Sequence, residues 1–137
     1  MGSPLEILAK LQKVDIELSA QVAMELTADT ATGQQRQQLA QGLRSDGSVL
    51  PDYSFRSVFQ YGKPPGPIRL YDTGAFYRGM LIDVRQDIFI LESADEKSTM
   101  LQNRYGADIL GLRDEAKNNW IKTMRPVFMQ QITNYLK

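Results

Sequence analysis

The chain contains neither cysteine nor histidine. That removes disulfides, thiol nucleophiles, imidazole general bases and nearly every zinc site at once. Metals bound by oxygen alone remain open to it, and those need clustered carboxylates. An excess of one charge is missing too: 16 Lys plus Arg balance 16 Asp plus Glu, and no basic run breaks the balance locally, so no field draws the chain onto nucleic acid. No apolar stretch approaches the length of a membrane span. Gly-rich phosphate loops are absent, since Gly74 and Gly79 match neither the phosphate-loop nor the dinucleotide spacing. Met1-Gly2-Ser3-Pro4 leads into an amphipathic run with Glu6, Lys10 and Lys13 rather than a signal-peptide core. Glu6 also stands where a myristoylation pattern wants Ser or Thr. The expectation is an intracellular, soluble protein.

With 137 residues, 42% of them hydrophobic, the chain fits one domain, 1–137, with a modest core. Ile7, Leu11, Val14, Leu18, Val22 and Leu26 recur at helical spacing, with Leu8 and Ile16 broadening the stripe. They predict one amphipathic helix from Leu5 to about Leu26, started by Ser3-Pro4. Residues 27–33, rich in small and β-branched types, read as a loop. Gln34 to Leu43 offers a short helix ending near Gly42, with glutamines that bury little. Residues 44–69 are dense in turn chemistry and read as an extended loop or arm. Its aromatic anchors Tyr53, Phe55, Phe59 and Tyr61 are candidates for contacts between subunits, with packing inside the subunit as the alternative.

The stretch Leu70 to Met80 is the hub on which the chain turns. Thr73 or Asp72 can offer a side-chain oxygen to a short helical turn beginning at Gly74, and Tyr71, Phe76, Tyr77 and Met80 supply apolar surface. Met80 to Val84 and Ile88 to Glu92 then read as a hairpin. A turn centred on Gln86-Asp87 sets Val84 against Phe89 and Ile82 against Leu91; a wider loop is the alternative. The other face carries Asp83, Arg85 and Glu92 but also Leu81, Ile88 and Ile90, which predicts a cover from another element or subunit.

Ser93 or Asp95 can cap a helix to about Arg104, with Met100, Leu101 and Tyr105 buried and Gly106 as its stop. Ile109-Leu110-Gly111-Leu112 is a short apolar link. From Arg113 a long last helix carries Ala116, Trp120, Met124, Phe128, Ile132 and Tyr135 on one stripe, with a kink or break expected near Met124–Pro126. The fold class expected is α+β: a small antiparallel sheet, the hairpin at about 80–92, packed against an N-terminal helix and a long C-terminal helix.

Catalysis would have to come from carboxylates, hydroxyls and lysines, as Asp72 with Thr73 or Asp95 with Glu96 and Lys97. Neighbours such as Asp95 and Glu96 point apart on a helix, so a cap beside the helix dipole is the better reading. Asp72-Thr73-Gly74 matches the aspartic-protease triplet in letters only, because an aromatic helix-like turn follows instead of an apolar strand. Trp120 belongs to the apolar stripe and reads as core.

The order Leu70-x-Asp72-Thr73-Gly74-x-Phe76-Tyr77, hairpin, polar helix ending Tyr105-Gly106, Ile109-Leu110-Gly111-Leu112 and terminal helix resembles the tail-completion and head–tail connector (neck) proteins of tailed bacteriophages. The likeness is nearest to those of the crAss-like phages of Bacteroides-type hosts, and it covers about residues 50–137. One departure is Arg113, where Thr or Ser would cap the last helix, leaving Asp114 or the backbone to do so. The resemblance implies an α+β subunit of a homo-oligomeric ring, six- or twelve-fold, between portal and tail. Genomic DNA would pass through its lumen without specific binding. It implies a virion protein made in the host bacterial cytoplasm, with no catalysis, no cofactor, no metal and no membrane. A phage-encoded binding or regulatory module outside the virion is the alternative, and a carboxylate-dependent hydrolase a third.

Overall fold

The computed structural model describes residues 3–12, 16–85 and 88–136. Among these residues five α-helices precede one hairpin and two follow it: α1 (Pro4–Gln12), α2 (Ile16–Leu26), α3 (Ala28–Ala40), α4 (Phe55–Tyr61), α5 (Ala75–Arg78), β1 (Met80–Arg85), β2 (Ile88–Ser93), α6 (Ser98–Tyr105) and α7 (Asp114–Leu136). A 3-10 turn at Ala107–Ile109 links the last two helices. The class is α+β, with a two-stranded antiparallel sheet against α2, α3 and the long α7.

α1 starts on a reciprocal cap: the Glu6 N–H donates to Ser3 Oγ at 3.2 Å while the Ser3 N–H donates to Glu6 Oε2 at 3.3 Å. Most of the stripe expected to be buried along this first region is turned outward. Ile7, Leu8, Ile16, Leu18 and Leu26 are exposed and Val22 is half-buried, and α2 buries Ser19, Ala23 and Met24 instead; Val14 and the side chain of Leu11 lie outside what is described. The reason is Trp120, buried to 1% exposure, whose indole occupies the space where α2, α3 and α7 meet. A helix that approaches so large a ring must bring small side chains to it.

The loop expected at 27–33 is helix. Thr27 Oγ1 donates to Ala23 O at 2.7 Å and accepts the Trp120 indole N–H at 2.8 Å, which joins α2, α3 and α7 at one hydroxyl. Ala31 is wholly buried, and Thr32 Oγ1 returns its hydrogen bond to the helix at Ala28 O. Tertiary contact overrides the poor helix propensity of this segment.

The hairpin register is as expected from the apolar alternation: Ile82 pairs with Leu91 and Val84 with Phe89, and each strand runs one residue further than expected. The turn at Gln86-Asp87 lies outside the described residues. The inner face spans two cores. Ile82, Val84, Phe89 and Leu91 pack with Met24, Ala31, Leu112, Ala116 and Trp120, where Phe89 meets the indole edge-on at 4.9 Å. Met80 joins a second core with Leu39, Leu50, Phe76 and Ile109. Leu81, Ile88 and Ile90 on the outer face are exposed, so of the two covers expected, another element or another subunit, the first is not supplied among the described residues.

α7 is one unbroken helix, so the expected break near Met124–Pro126 does not divide it. Pro126 and Lys122 both face solvent, where water can take the hydrogen bond that the Lys122 carbonyl loses. The stripe is deepest at Ala116 and Trp120, and it thins to a half-buried Met124, Phe128 and Ile132 and an exposed Tyr135.

Residues 44–69 are a tied excursion rather than an extended arm. Its neck is closed by the Tyr53 N–H to Gly66 O at 2.9 Å and the Ile68 N–H to Pro51 O at 2.8 Å. It carries α4, whose ends are conventional: Ser54 Oγ accepts the Ser57 N–H at 3.1 Å, and Gly62 closes the helix at φ 68°. α6 starts later than expected, at Ser98, without a side-chain cap; Gly106 does stop it at φ 101°. Ser93 Oγ is drawn away from that helix, donating to Phe76 O at 2.8 Å, so the capping role expected of Ser93 or Asp95 is unfilled. Met100, expected to be buried, is 54% exposed, whereas Leu101 and Tyr105 pack on the second core.

Candidate functional site

The hub begins on an unusual backbone. Leu70 is the one non-glycine residue with positive φ among those described, at 56°. That conformation costs a branched residue about 1 kcal/mol or more, and Leu70 holds it while packing on the second core. Gly74 precedes α5 at φ 85°, a left-handed conformation that strains any side chain, and a Cβ there would also displace Arg78 Nη1 at 2.8 Å and the Tyr71 hydroxyl at 2.9 Å, so the turn favours glycine. Thr73 Oγ1 accepts the Ala75 N–H at 3.3 Å, which realises the expected cap with Thr73 rather than Asp72.

Asp72 turns the other way, to Lys63 Nζ at 3.3 Å, and the same ammonium donates to the Tyr71 carbonyl at 3.3 Å. Two tyrosine hydroxyls hold the main chain of Arg69: Tyr53 accepts its N–H at 3.2 Å, and Tyr77 donates to its carbonyl at 2.6 Å. Tyr71 meets Tyr77 edge-on at 5.0 Å. Burial first, and then the neighbouring Tyr53 hydroxyl, push the Tyr77 pKa up to about 12. The excursion is thus fastened to the hub by an aromatic knot.

Between the hub and α6 lies a groove of about 420 Å3. Ile68, Leu70, Phe76 and Leu101 contribute its apolar lining, while Asp72, Asp95, Lys63, Lys97 and Arg104 supply charges of both signs. Of the motif residues, Leu70, Asp72, Thr73, Gly74, Phe76 and Tyr105 line this groove together with Tyr53. Tyr77 faces Arg69, Gly106 ends α6, and Gly111, at φ 128°, lies against Ser45. Phe55, Phe59 and Tyr61 are elsewhere, on α4, at 78%, 74% and 62% exposure, with the two phenylalanine rings 4.2 Å apart.

Within the groove the Thr73 hydroxyl is engaged with the Ala75 N–H, and the Asp72 carboxylate, 77% exposed, is salt-bridged to Lys63. Among the described residues no group of three or more carboxylates could hold a metal ion.

Sequence reasoning missed two residues that organise the region behind the site. Gln35 and Gln38, among the glutamines expected to bury little, are 0% and 4% exposed. Gln35 Nε2 donates to Ile109 O at 3.1 Å while its Oε1 accepts the Gly111 N–H at 2.6 Å. Gln38 repeats the pattern, with Nε2 to Gly111 O at 2.9 Å and the Arg113 N–H to Oε1 at 2.8 Å. A carboxamide carries one donor side and one acceptor side, as a peptide unit does, so each glutamine pairs with the 109–113 backbone as a strand would. The second clamp also resolves the Arg113 departure. Arg113 O accepts the Lys117 N–H at 2.9 Å as the first acceptor of α7, and its own N–H is satisfied by Gln38 from another helix.

No protein-family model, no curated protein and no solved structure matches the chain.

Proposed function

We propose that the chain is a structural subunit of a phage neck or tail, forming a homo-oligomeric ring between portal and tail through which genomic DNA passes. The observation that carries this reading is α4, a capped, ordered helix that presents Phe55, Phe59 and Tyr61 to solvent from an excursion tied at both ends. Ordering three large aromatics without burying them is unfavourable for an isolated chain and favourable for one that meets a neighbour there. The uncovered outer face of the hairpin, with Leu81, Ile88 and Ile90, and the outward stripe of α1 and α2 point the same way. Balanced charge suits a conduit that must not grip the duplex. The motif order from Leu70 to Leu112 supplies the phage assignment within that class.

Native mass measurement and negative-stain imaging, alone and with portal and tail components, test it. Rings, with amide exchange slowed over α4 on assembly, are expected. A monodisperse monomer at high concentration that forms no ring with those components would sink the reading, as would absence of the chain from purified virions by mass spectrometry.

A further inference from the structure

The sheet has two strands, so each strand has an edge with no partner, and no described backbone or side-chain group hydrogen-bonds to the outward edge of β2. Every second residue of such a strand directs its N–H and C=O away from the hairpin. α2 and α3 pack against β1, whereas β2 borders an open groove of about 430 Å3 whose far wall is α6. Ile90, Leu91 and Leu110 give this groove its apolar surface, and Ser98, Thr99 and Gln102 line it from the helix. Its charges have one sign. Glu92, Asp95 and Glu96 line it, no lysine or arginine does, and none of the three carboxylates forms a salt bridge among the described residues.

We propose that this edge binds an extended segment of another protein as a third strand, and that the segment carries lysine or arginine on alternate positions. The main-chain groups of β2 supply the affinity, Leu91 and Leu110 meet the side chains of the inner face, and the carboxylates, with Glu92 beside Ile90 on the outer face of the strand, select the sign of the others. The same charges disfavour a second copy of the chain paired through this edge, since two acidic patches would be brought together. The inference stands whether or not the protein is a neck subunit.

The probe is an acetylated heptapeptide of alternating lysine and valine, titrated at low salt against the full chain, with amide exchange read residue by residue. Binding that slows exchange in Ile88–Ser93 is expected. The fully N-methylated peptide, and the peptide with glutamate for lysine, are each expected to bind at least tenfold more weakly. Glu92→Lys combined with Glu96→Lys is expected to weaken the parent peptide at least tenfold at unchanged thermal stability, since Glu92 and Glu96 are exposed. No binding, equal binding of the N-methylated peptide, protection confined to another element, or self-association through β2 without peptide would each overturn the proposal.

Discussion

α3 and α4 invert the ordinary rule of burial. α3, with the sequence ADTATGQQRQQLA, buries Gln35 and Gln38 completely or nearly so, while α4, FRSVFQY, buries none of its residues. Polarity did not decide which went inside. The glutamines are buried because the 109–113 segment offers each a free N–H and a free C=O at the right separation, so their desolvation is offset. The aromatics are outside because the excursion that carries α4 is tied off at 51–53 and 66–68, beside the second core, and no residue of α4 itself packs on either core.

The sharpest way to break this comparison is Gln35→Ala. It strips the side-chain partner from the buried Ile109 O and the half-buried Gly111 N–H, and a loss of about 2–5 kcal/mol in chemical denaturation is expected. Gln35→Glu should be little better, because it keeps the shape but replaces the donor with a buried charge. Next is Thr27→Val, which keeps the volume and strips the acceptor from the Trp120 indole; about 1–2 kcal/mol is expected, together with altered tryptophan fluorescence.

A smaller effect concerns the aromatic knot at the base of the α4 excursion. Tyr77 ionises near pH 12 in the folded protein against an ordinary 10, so the fold holds this proton longer than the unfolded chain does. Its stabilisation is complete below pH 10 and is lost as pH rises from 10 to 12. Denaturation midpoints measured across that window should fall in the native chain and fall less in Tyr77→Phe. The smallest expected change in stability belongs to Phe55→Ser with Phe59→Ser, within about 0.5 kcal/mol on the folded chain, since both rings are exposed. The same pair should abolish ring formation in native mass spectra, and retention of rings would detach α4 from assembly.

Several features were legible before any coordinates. Alternation of Ile82, Val84, Phe89 and Leu91 placed the hairpin and its register, because a slip by one residue would turn its four large apolar side chains outward. The stripe through Ala116 and Trp120 located α7, and Gly106 marked the end of α6. α4 was also within reach, since Ser54 and Gly62 bracket seven residues as N-cap and left-handed stop, but the neighbouring prolines argued for irregular chain. The groove between hub and α6 was only half legible: motif order picked out Leu70, Asp72, Thr73, Gly74, Phe76 and Tyr105, whereas the contribution of Lys63, Lys97 and Arg104 depends on how the excursion and α6 fold back on the hub.

Local pattern alone therefore determined the strands, their pairing, the long final helix and the turn at Gly74, because period, volume and backbone sterics act over a few residues. Tertiary structure alone decided which face of α2 is buried, that residues 27–33 are helical and that two glutamines are core. Each of those outcomes hangs on a partner from far along the chain, Trp120 in the first two and the 109–113 backbone in the third, and a hydrogen-bonding or packing partner that distant leaves no periodic trace in the segment it stabilises.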